Sequence, residues 1–520
     1  MFTTIAALYR LARAAFVMAR EGVFAGVEIE LTPPPAQLPL RLAALIARRQ
    51  PETSRADRIS TALERLGPSY IKLGQFLATR PDLVGMSVAR DLETLQDSLP
   101  SMPMEQAKAR IEDSLGQPVD ELFDDLDPAL AAASIAQVHK GWVIDPDTGR
   151  RTAVAVKVLR EGIEARFARD LSTFYIAARL LERTARSLRR LRPVAVVDTL
   201  AESIRLEMDL RMEAAALTEM GENTKDDDGF RVPSVDWVRS GAQVMTIEWV
   251  DGRKLSDVEG IREDGHDLKK LGALVIQSFL RHAMRDGFFH ADMHPGNLFL
   301  EADGTLVAVD LGITGRLGEA ERRFLAEILF GFITRNYRRT AEVHFEAGYV
   351  PPIHDVDTFA QALRAIGEPI HGRNASQISM GRLLTQLFEV TDLFDMRTQP
   401  QLIMLQKTMV VVEGVARTLD PNLDIWKTSD PVVSEWIRTN LSPVKQAQSA
   451  VKSLSSIGRL VQESPDMLLR VERVLKALDP AEVEANAKAN SSTATTLKAS
   501  AWPLVALAAI AAFAIVALLD

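Results

Sequence analysis

Cysteine is absent from the chain. Disulfide bonds, thiolate metal sites and cysteine nucleophiles are therefore excluded, and a reducing compartment is compatible with this absence. A basic surplus is missing as well, since the formal net charge is -9 and the pI is about 5.6. Nucleic-acid-binding domains usually concentrate lysine and arginine on one face. We therefore predict no nucleic-acid partner.

A glycine-rich GxGxxG turn after a strand is also missing, so a flavin monooxygenase has little support from the sequence. What remains is an ordinary globular composition, with 47% hydrophobic and 25% charged residues. A chain of 520 residues is too long for one compact core and predicts about two to three domains.

The first 20 residues carry Arg10, Arg13 and Arg20 and no acid. The arginines stand at helical spacing and do not precede an uninterrupted apolar core, so the segment is unlike an export signal. We predict an amphipathic helix. Two alternatives stay open, because such a helix either packs on its own protein or lies on anionic lipid.

The other end of the sequence holds an 18-residue run without charge, from Trp502 to Leu519. As a helix it would measure about 27 Å, close to the hydrocarbon thickness of a bilayer. We predict a single transmembrane anchor at residues 501–519 after a polar linker at 481–500. Lys488 and Lys498 precede the run, which favours a cytoplasmic location for the rest of the chain. A buried C-terminal helix is the alternative.

The remaining residues predict an α+β chain of two lobes behind a helical extension. Residues 1–125 are mostly helical. Residues 126–250 contain two β-type runs, TAVAVKVL (152–159) and QVMTIEWV (243–250), with a helical stretch between them. Residues 251–480 are mostly helical and are interrupted at 288–312 by a loop, a strand, a turn at Asp303-Gly304 and a second strand.

Four polar residues stand at suggestive positions in these elements. Lys157 lies in the apolar run VAVKV, and its neighbours point to the opposite face of the strand. Asp292 is followed five residues later by Asn297, and Asp310-Leu311-Gly312 begins 13 residues after that. Taken singly, Lys157 could be a strand lysine that reaches solvent, and the short motifs around Asp292 and Asp310 could each have arisen by chance. Their order and joint spacing are typical of protein kinases.

Phosphoryl transfer from ATP requires cations that neutralise the phosphates and carboxylates that hold those cations. Asp310 and Asn297 would bind Mg²⁺ through oxygen, Asp292 would orient or deprotonate the acceptor, and Lys157 would contact the phosphates. The strand that contains IEWV (247–250) would place the backbone of Glu248 and Val250 against the adenine. ATP and Mg²⁺ are the expected cofactors.

Three further segments resemble the UbiB family, the aarF-domain-containing atypical kinases linked to ubiquinone biosynthesis. They are the KxGQ segment Lys72-Leu73-Gly74-Gln75, the alanine-rich AAASIAQVH (131–139), and EMDLRMEAAA (207–216), which contains Glu207, Asp209 and Glu213. The likeness covers about residues 60–350 closely and the C-terminal helical part in general layout. Ala136 and Met293 stand where many members have glycine and proline.

The resemblance implies a two-lobed protein-kinase-like fold and specific roles. Glu213 would pair with Lys157. Glu207 stands six residues earlier, about 240° around a straight helix, and needs a different partner; the family suggests Lys72, with the KxGQ helix lying across the active site. Gln75 shares a helix face with Lys72. The nucleotide loop would comprise Ala131, Ala132, Ala133 and Ser134, where ordinary kinases use glycines.

Three functions follow as expectations. The first is a membrane-associated ATPase or kinase of a bacterial inner membrane, which supports ubiquinone biosynthesis by acting on lipid-soluble quinone precursors. The second is a nucleotide-gated scaffold for quinone-biosynthesis enzymes with little turnover. The third is the flavin monooxygenase. Membrane lipids, quinone precursors and other quinone-biosynthesis proteins are the expected partners, whereas the phosphoryl acceptor and the oligomeric state do not follow from the sequence.

Overall fold

The structure is a computed structural model that describes residues 2–25, 34–48, 53–78, 100–145, 148–184, 192–369 and 400–441, with short pieces between 80 and 95 and between 390 and 396. The predicted anchor (501–519) and linker (481–500) lie outside the described residues, as does the end of the predicted second lobe. Within the described ranges, no helix is both long and apolar enough to cross a bilayer.

The chain begins with helices in the region predicted as an N-terminal extension. They are α1 (Phe2–Arg20), α2 (Pro34–Ile46), α3 (Arg55–Leu66), α4 (Pro68–Ala78), α5 (Met104–Leu115) and α6 (Val119–Leu122). Ser54 and Asp57 form a reciprocal capping box at the start of α3. Buried Glu21 accepts a hydrogen bond from Arg65 at 2.6 Å and lies 3.5 Å from Arg48, which ties α1, α2 and α3 together.

A four-stranded antiparallel sheet forms most of the first lobe, in the order β1 (Asp125–Ala132), β2 (Ala136–Ile144), β3 (Arg151–Leu159) and β5 (Val244–Glu248). Both predicted β-type runs are therefore strands. Val154, Val156 and Val158 alternate along β3 and are buried against Ile111 of α5 and Phe123. The period of two fixes the intervening Lys157 on the opposite face of the sheet.

Three helices lie between β3 and β5: α7 (Ile163–Thr184), α8 (Pro193–Glu207) and α9 (Leu210–Thr224). Asp209 caps α9 by accepting a hydrogen bond from the Arg211 backbone N–H. The backbone N–H of Leu210 donates to the carbonyl of Ala242 at 2.9 Å. The start of α9 is thereby held beside β5, next to the sheet that carries Lys157.

The second lobe contains two smaller sheets among helices. Its strands are β4 (Phe230–Arg231), β6 (Gly252–Lys254), β7 (Phe288–His290), β8 (Leu298–Glu301), β9 (Leu306–Ala308) and β10 (Thr314–Arg316). One sheet has the order β4-β9-β8-β6, and β7 pairs with β10. Gly304 has φ +90° in the turn between β8 and β9, a conformation that glycine adopts without strain. The predicted strand–turn–strand segment is confirmed.

The helices of the second lobe are α10 (Val258–Glu263), α11 (Leu268–Arg281), α12 (Glu319–Ile333), α13 (Tyr337–Glu346), α14 (Val356–Gly367), α15 (Pro400–Leu419) and α16 (Ile425–Asn440). A π-helical turn at His282–Asp286 connects α11 to β7. One apolar cluster extends through both lobes and includes Leu159, Leu217 and Phe279. The predicted α+β architecture with a helical C-terminal part is confirmed.

Strand β4 departs from the linear division of the chain. It lies between α9 and β5, within the predicted first lobe (126–250), yet it pairs in parallel with β9 of the second lobe through Phe230 and Leu306. The segment between α9 and β5 therefore joins the two lobes. A two-residue strand has too few positions to show periodicity in the sequence.

Candidate functional site

Three charged side chains from distant parts of the chain meet between the lobes. The Lys157 ammonium on β3 donates to both carboxylate oxygens of Glu213 on α9, at 2.7 and 2.9 Å. It also lies 3.3 Å from Oδ1 of Asp310, which follows β9. Lys157 and Glu213 are largely buried, whereas the Asp310 side chain is 50% exposed. The buried pair thus positions one half-exposed carboxylate at the junction of the lobes.

Burial and the neighbouring charges set the protonation of this cluster. Burial of Lys157 disfavours its charged form, but Asp310 and Glu213 outweigh that effect and raise the pKa of Lys157. The Lys157 ammonium in turn lowers the pKa of Asp310 to about 2. Burial raises the pKa of Glu213 to about 7, with Lys157 opposing and Asp310 reinforcing the shift. Asp310 is therefore ionised at neutral pH, while Glu213 titrates close to it.

The backbone of Asp310 is unusual because its φ is +60°, a left-handed conformation that non-glycine residues adopt at a free-energy cost. Its Oδ1 accepts a hydrogen bond from the Gly312 N–H at 3.3 Å. Such strained positions cluster at functional sites, where the surrounding structure holds the side chain in a required direction. Here it directs the carboxylate towards Lys157.

A loop between β7 and β8 carries Asp292 and Asn297. The Asn297 side-chain amide donates to the carbonyl and to Oδ2 of Asp292, at 3.1 and 3.3 Å. The backbone N–H of Val309 donates to the backbone carbonyl of Asn297 at 2.9 Å. Asn297 is thereby linked both to Asp292 and to the residue before Asp310. The five predicted groups form one connected site.

His290 supports this loop from beneath. Its Nδ1 accepts a hydrogen bond from the Asp292 N–H at 3.1 Å, and its ring is 1% exposed. Burial lowers the pKa of His290, so the imidazole is neutral at pH 7 and can accept this bond. His290, two residues before Asp292, therefore positions the Asp292 backbone.

Oxygen donors of the site fit Mg²⁺ better than a transition metal. Asp310 offers an ionised, half-exposed carboxylate. The side-chain nitrogen of Asn297 donates to Asp292, which leaves the side-chain oxygen of Asn297 as a ligand. Across the described ranges, no group of three or more histidine, aspartate or glutamate side chains could hold a metal alone. Mg²⁺ typically takes one or two protein ligands and completes its shell with phosphate oxygens and water.

The alanine-rich segment is a β-hairpin whose turn is shorter than the predicted loop. Ala131 and Ala132 belong to β1, where they pair with Val138 and Gln137 of β2. The turn consists of Ala133, Ser134 and Ile135, and the Ala133 N–H donates to the Ala136 carbonyl at 2.8 Å. Arg160 Nε donates to the Ala133 carbonyl at 2.9 Å. No helix starts at these alanines, because the hairpin register uses their backbone groups.

Glu248 ends β5, and its side chain points to a partner that the sequence did not predict. Arg231 donates to both oxygens of Glu248, at 2.9 and 3.1 Å, and to both oxygens of Glu301, at 2.6 and 2.9 Å. Since β4 and β8 belong to the second lobe, this guanidinium links the two lobes at the end of β5. Val250 follows two residues later and is partly exposed. Any adenine contact at Glu248 would use its backbone.

The KxGQ helix α4 is connected to the site through α8. Lys72 Nζ lies 2.8 Å from Oε2 of Glu207, and both side chains are 15% exposed. Glu207 ends α8, six residues before Glu213. Gln75 lies one turn after Lys72 on α4 and is partly buried. Asp209 does not join this ion pair: it receives a bidentate contact from Arg211, which lowers the pKa of Asp209.

Gly74 is a residue whose role the sequence analysis missed. A methyl group at its Cα would lie 2.5 Å from Cδ1 of Leu95 and 2.8 Å from Cδ1 of Leu63. A larger residue would require these buried leucine side chains to shift, so glycine favours the close approach of α3, α4 and the segment that carries Leu95. A glycine inside an apolar helical pattern is a usable sequence signal for close packing. Arg231 left no comparable signal, since its partners are distant in sequence.

The fold and the site define an atypical protein-kinase-like domain. A family model described as "ABC1 atypical kinase-like domain" matches residues 94–344, and one described as "UbiB helical domain" matches residues 363–424. A Marinobacter nauticus protein named "Probable protein kinase UbiB" is 38% identical over 466 residues, which cover 88% of this chain and 84% of the relative. An Aeromonas salmonicida protein of the same name is 39% identical over 448 residues, covering 85% and 81%. The chain belongs to the UbiB family.

Proposed function

We propose that this protein binds Mg²⁺–ATP between its lobes and hydrolyses it, or transfers its terminal phosphoryl group, at a bacterial inner membrane in support of ubiquinone biosynthesis. The observation that carries the proposal is the Glu213–Lys157–Asp310 cluster, linked through Val309 to Asn297 and Asp292. In protein kinases, a strand lysine held by a helix glutamate contacts the ATP phosphates. The family assignment supports the same chemistry.

Each residue has a role that follows from its charge and position. Lys157, held by Glu213, would neutralise phosphate oxygens. Asp310 and Asn297 would hold Mg²⁺, which supplies charge stabilisation at the phosphates when bound. Asp292 would orient or deprotonate the acceptor, and His290 fixes its backbone. The acceptor would be water or a lipid-soluble quinone precursor.

The nucleotide loop argues against peptide phosphorylation. Ala133 and Ser134 carry Cβ atoms at the turn of the hairpin, where glycines would let backbone N–H groups approach phosphate more closely. The Lys72–Glu207 pair also places the KxGQ helix beside the element that leads to Glu213. A small or membrane-embedded acceptor fits this more restricted site better than a protein chain. The apolar run at 501–519 would anchor the protein at the membrane.

Steady-state ATP turnover by the full chain in lipid vesicles tests the proposal. We expect wild type to turn over ATP faster when a quinone-precursor analogue (a phenol with an isoprenoid tail) is added. Asp310→Asn should lower turnover by about 100-fold or more, because it removes the metal-binding charge. The control Asp303→Asn changes an exposed aspartate in the turn after β8 and should leave turnover unchanged.

Each other outcome contradicts a defined part of the proposal. Equal turnover in wild type and Asp310→Asn would remove the enzymatic role. Tight, Mg²⁺-dependent nucleotide binding without turnover would favour the nucleotide-gated scaffold. A flavin absorbance band in the purified protein would support the monooxygenase.

A further inference from the structure

Helix α1 packs on the protein with one face only. Leu11 and Ala15 are buried against Ala177 of α7, and Arg10 Nε donates to the Thr173 hydroxyl at 2.7 Å. The remaining face carries a stripe of exposed residues at helical spacing, namely Tyr9, Arg13, Phe16 and Arg20. Of the two alternatives from the sequence, packing on the protein thus describes only half of this helix.

Helix α2 continues the pattern more strongly. Leu40 and Ala43 are buried in the shared core, whereas Leu38, Leu42, Leu45 and Ile46 are 66%, 51%, 81% and 45% exposed. The Arg48 N–H donates to the Arg20 carbonyl at 2.8 Å, so the C-terminal ends of α1 and α2 are joined. A solvent-facing row of large aliphatic side chains on one helix is unfavourable unless another surface covers it.

The exposed apolar residues are concentrated on these two helices. The described part of the chain contains 15 large hydrophobic residues that are exposed, and six of them lie on α1 and α2. The other nine are distributed over the rest of the described chain. Single exposed hydrophobic residues are ordinary on protein surfaces, whereas a cluster marks an interaction surface.

The exposed charges on these two helices have one sign. Arg13, Arg20 and Arg41 are exposed beside the apolar residues. Glu21 is the single acid within residues 2–25 and 34–48; it is 1% exposed and contacts Arg65 and Arg48. The intervening Glu28 and Glu30 lie outside the described residues. Aliphatic and aromatic side chains flanked by arginines match the interface of an anionic bilayer, where apolar groups enter the acyl boundary and arginines meet headgroup phosphates.

We propose that the exposed sides of α1 and α2, called here the N-terminal apolar face (Tyr9, Phe16, Leu38, Leu42, Leu45 and Ile46), dock on an anionic lipid bilayer. This inference deepens the membrane part of the proposed function, because it names a second contact besides the apolar run at 501–519. Since α4 follows α3 directly and pairs with α8 through Lys72, this contact holds the KxGQ helix at the membrane surface.

The absence of cysteine makes a direct test simple. Leu42→Cys in the full chain is labelled with an environment-sensitive fluorophore and reconstituted into vesicles of equal parts phosphatidylcholine and phosphatidylglycerol. We expect a blue-shifted emission that is largely lost when lipids with a nitroxide on the acyl chain are included. Ile353→Cys and Val238→Cys, whose native residues are 81% and 79% exposed, are the matched controls and should show neither effect.

The electrostatic part is tested on the same labelled protein. Replacing phosphatidylglycerol by phosphatidylcholine, or adding Arg13→Gln, Arg20→Gln and Arg41→Gln together, should weaken the quenching of the label at position 42. Unchanged quenching after both changes would overturn the preference for anionic lipid. Thermal melting of each labelled protein shows whether the substitutions preserve the fold.

The remaining outcomes separate the proposals. Lack of lipid quenching at position 42 in protein that co-floats with vesicles overturns docking of the N-terminal apolar face and leaves the anchor intact. A blue-shifted label in vesicles without lipid quenching identifies the C-terminal residues of the same chain as the occupant, and self-quenching between labelled copies identifies a second copy; both contradict the proposal. Full lipid quenching in protein without ATP turnover would support docking and contradict only the proposed catalytic function.

Discussion

The ammonium of Lys72 lies 2.8 Å from the carboxylate of Glu207, so a helix that precedes the first lobe is joined to the end of α8, six residues before the glutamate that clamps Lys157. Both side chains are 15% exposed. An ion pair shielded to this extent loses more when one partner is removed than when both are, since the remaining charge is left partly buried.

Lys72→Met should therefore loosen the contact between α4 and α8 and lower the free energy of unfolding by about 1–3 kcal/mol. It should also change nucleotide preference or self-phosphorylation, because the segment after Glu207 leads to Glu213. Chemical denaturation and ADP/ATP competition measure the two effects. Lys269→Met, at an exposed position on α11, is the control. Equal unfolding free energies and nucleotide preferences in the two variants would show that Lys72 behaves as an ordinary surface lysine.

The raised pKa of Glu213 predicts a pH dependence of stability with a defined sign. Its pKa is about 7 in the folded protein and about 4.5 when unfolded. Between these values the folded state binds more protons, so stability from this group is present below the lower pKa and is lost as pH rises towards 7. Between these pH values, the free energy of unfolding of wild type should fall by about 1–3 kcal/mol relative to that of Glu213→Gln. Denaturation curves at several pH values check this, and parallel curves for the two proteins would contradict it.

The left-handed backbone of Asp310 predicts an unusual order of stability among its variants. Asp310→Gly and Asp310→Ala both remove the carboxylate, but only alanine keeps a Cβ at φ +60°. Asp310→Gly should be more stable than Asp310→Ala by about 1 kcal/mol. At Glu259, an exposed position in α10, the same pair should show the reverse order because glycine is the poorer helix former. Thermal unfolding provides both comparisons, and the same order at both positions would remove the strain argument.

Gly74→Ala tests the close packing of the KxGQ helix. The new methyl would overlap with Leu95 and Leu63, and overpacking of this kind costs about 1–3 kcal/mol. The control is Gly414→Ala in α15, where a Cβ meets no atom within 4 Å. That substitution should raise the free energy of unfolding by up to about 1 kcal/mol, because alanine reduces the conformational entropy of the unfolded chain. A Gly74→Ala protein as stable as wild type would show that α4 can shift without loss.

Arg231→Met tests the contact at the end of β5. It leaves Glu248 and Glu301 without their shared guanidinium, and we expect nucleotide affinity to fall by about tenfold because the Glu248 backbone is no longer fixed. Arg253 of β6 also binds two carboxylates, Asp257 and Asp264, which belong neither to β5 nor to the contacts around Arg231. Arg253→Met should leave affinity unchanged. A similar loss in both variants would indicate a general electrostatic effect.

The sequence predicted which residues meet at the site better than it predicted the contacts that hold them in place. Lys157 stood out because a charged residue interrupts an apolar strand, and Asp292, Asn297 and Asp310 stood out because they share a short segment with fixed spacing. The structure connects them as expected. These residues can be predicted from the sequence because their partners are local or their burial pattern is periodic.

The contacts that hold the site residues in place could not be predicted from the sequence, for a physical reason. Arg231 meets Glu248 and Glu301 only after two lobes assemble, and neither composition nor periodicity records contacts across such sequence distances. Ala131 and Ala132 were assigned to a loop, but hairpin pairing extends β1 over them, because register depends on the partner strand. The exposed row on α2 was missed because helical spacing shows which residues share a face but does not show whether that face is covered.

The Mg²⁺ dependence of nucleotide affinity tests the central claim most directly. ADP and ATP dissociation constants are measured by calorimetry for wild type and Asp310→Asn, with Mg²⁺ and with a chelator. Mg²⁺ should strengthen wild-type binding by about tenfold or more and should have little effect on the variant, since the half-exposed carboxylate opposite Lys157 is the charged protein ligand. The same Mg²⁺ dependence in both proteins would contradict the account.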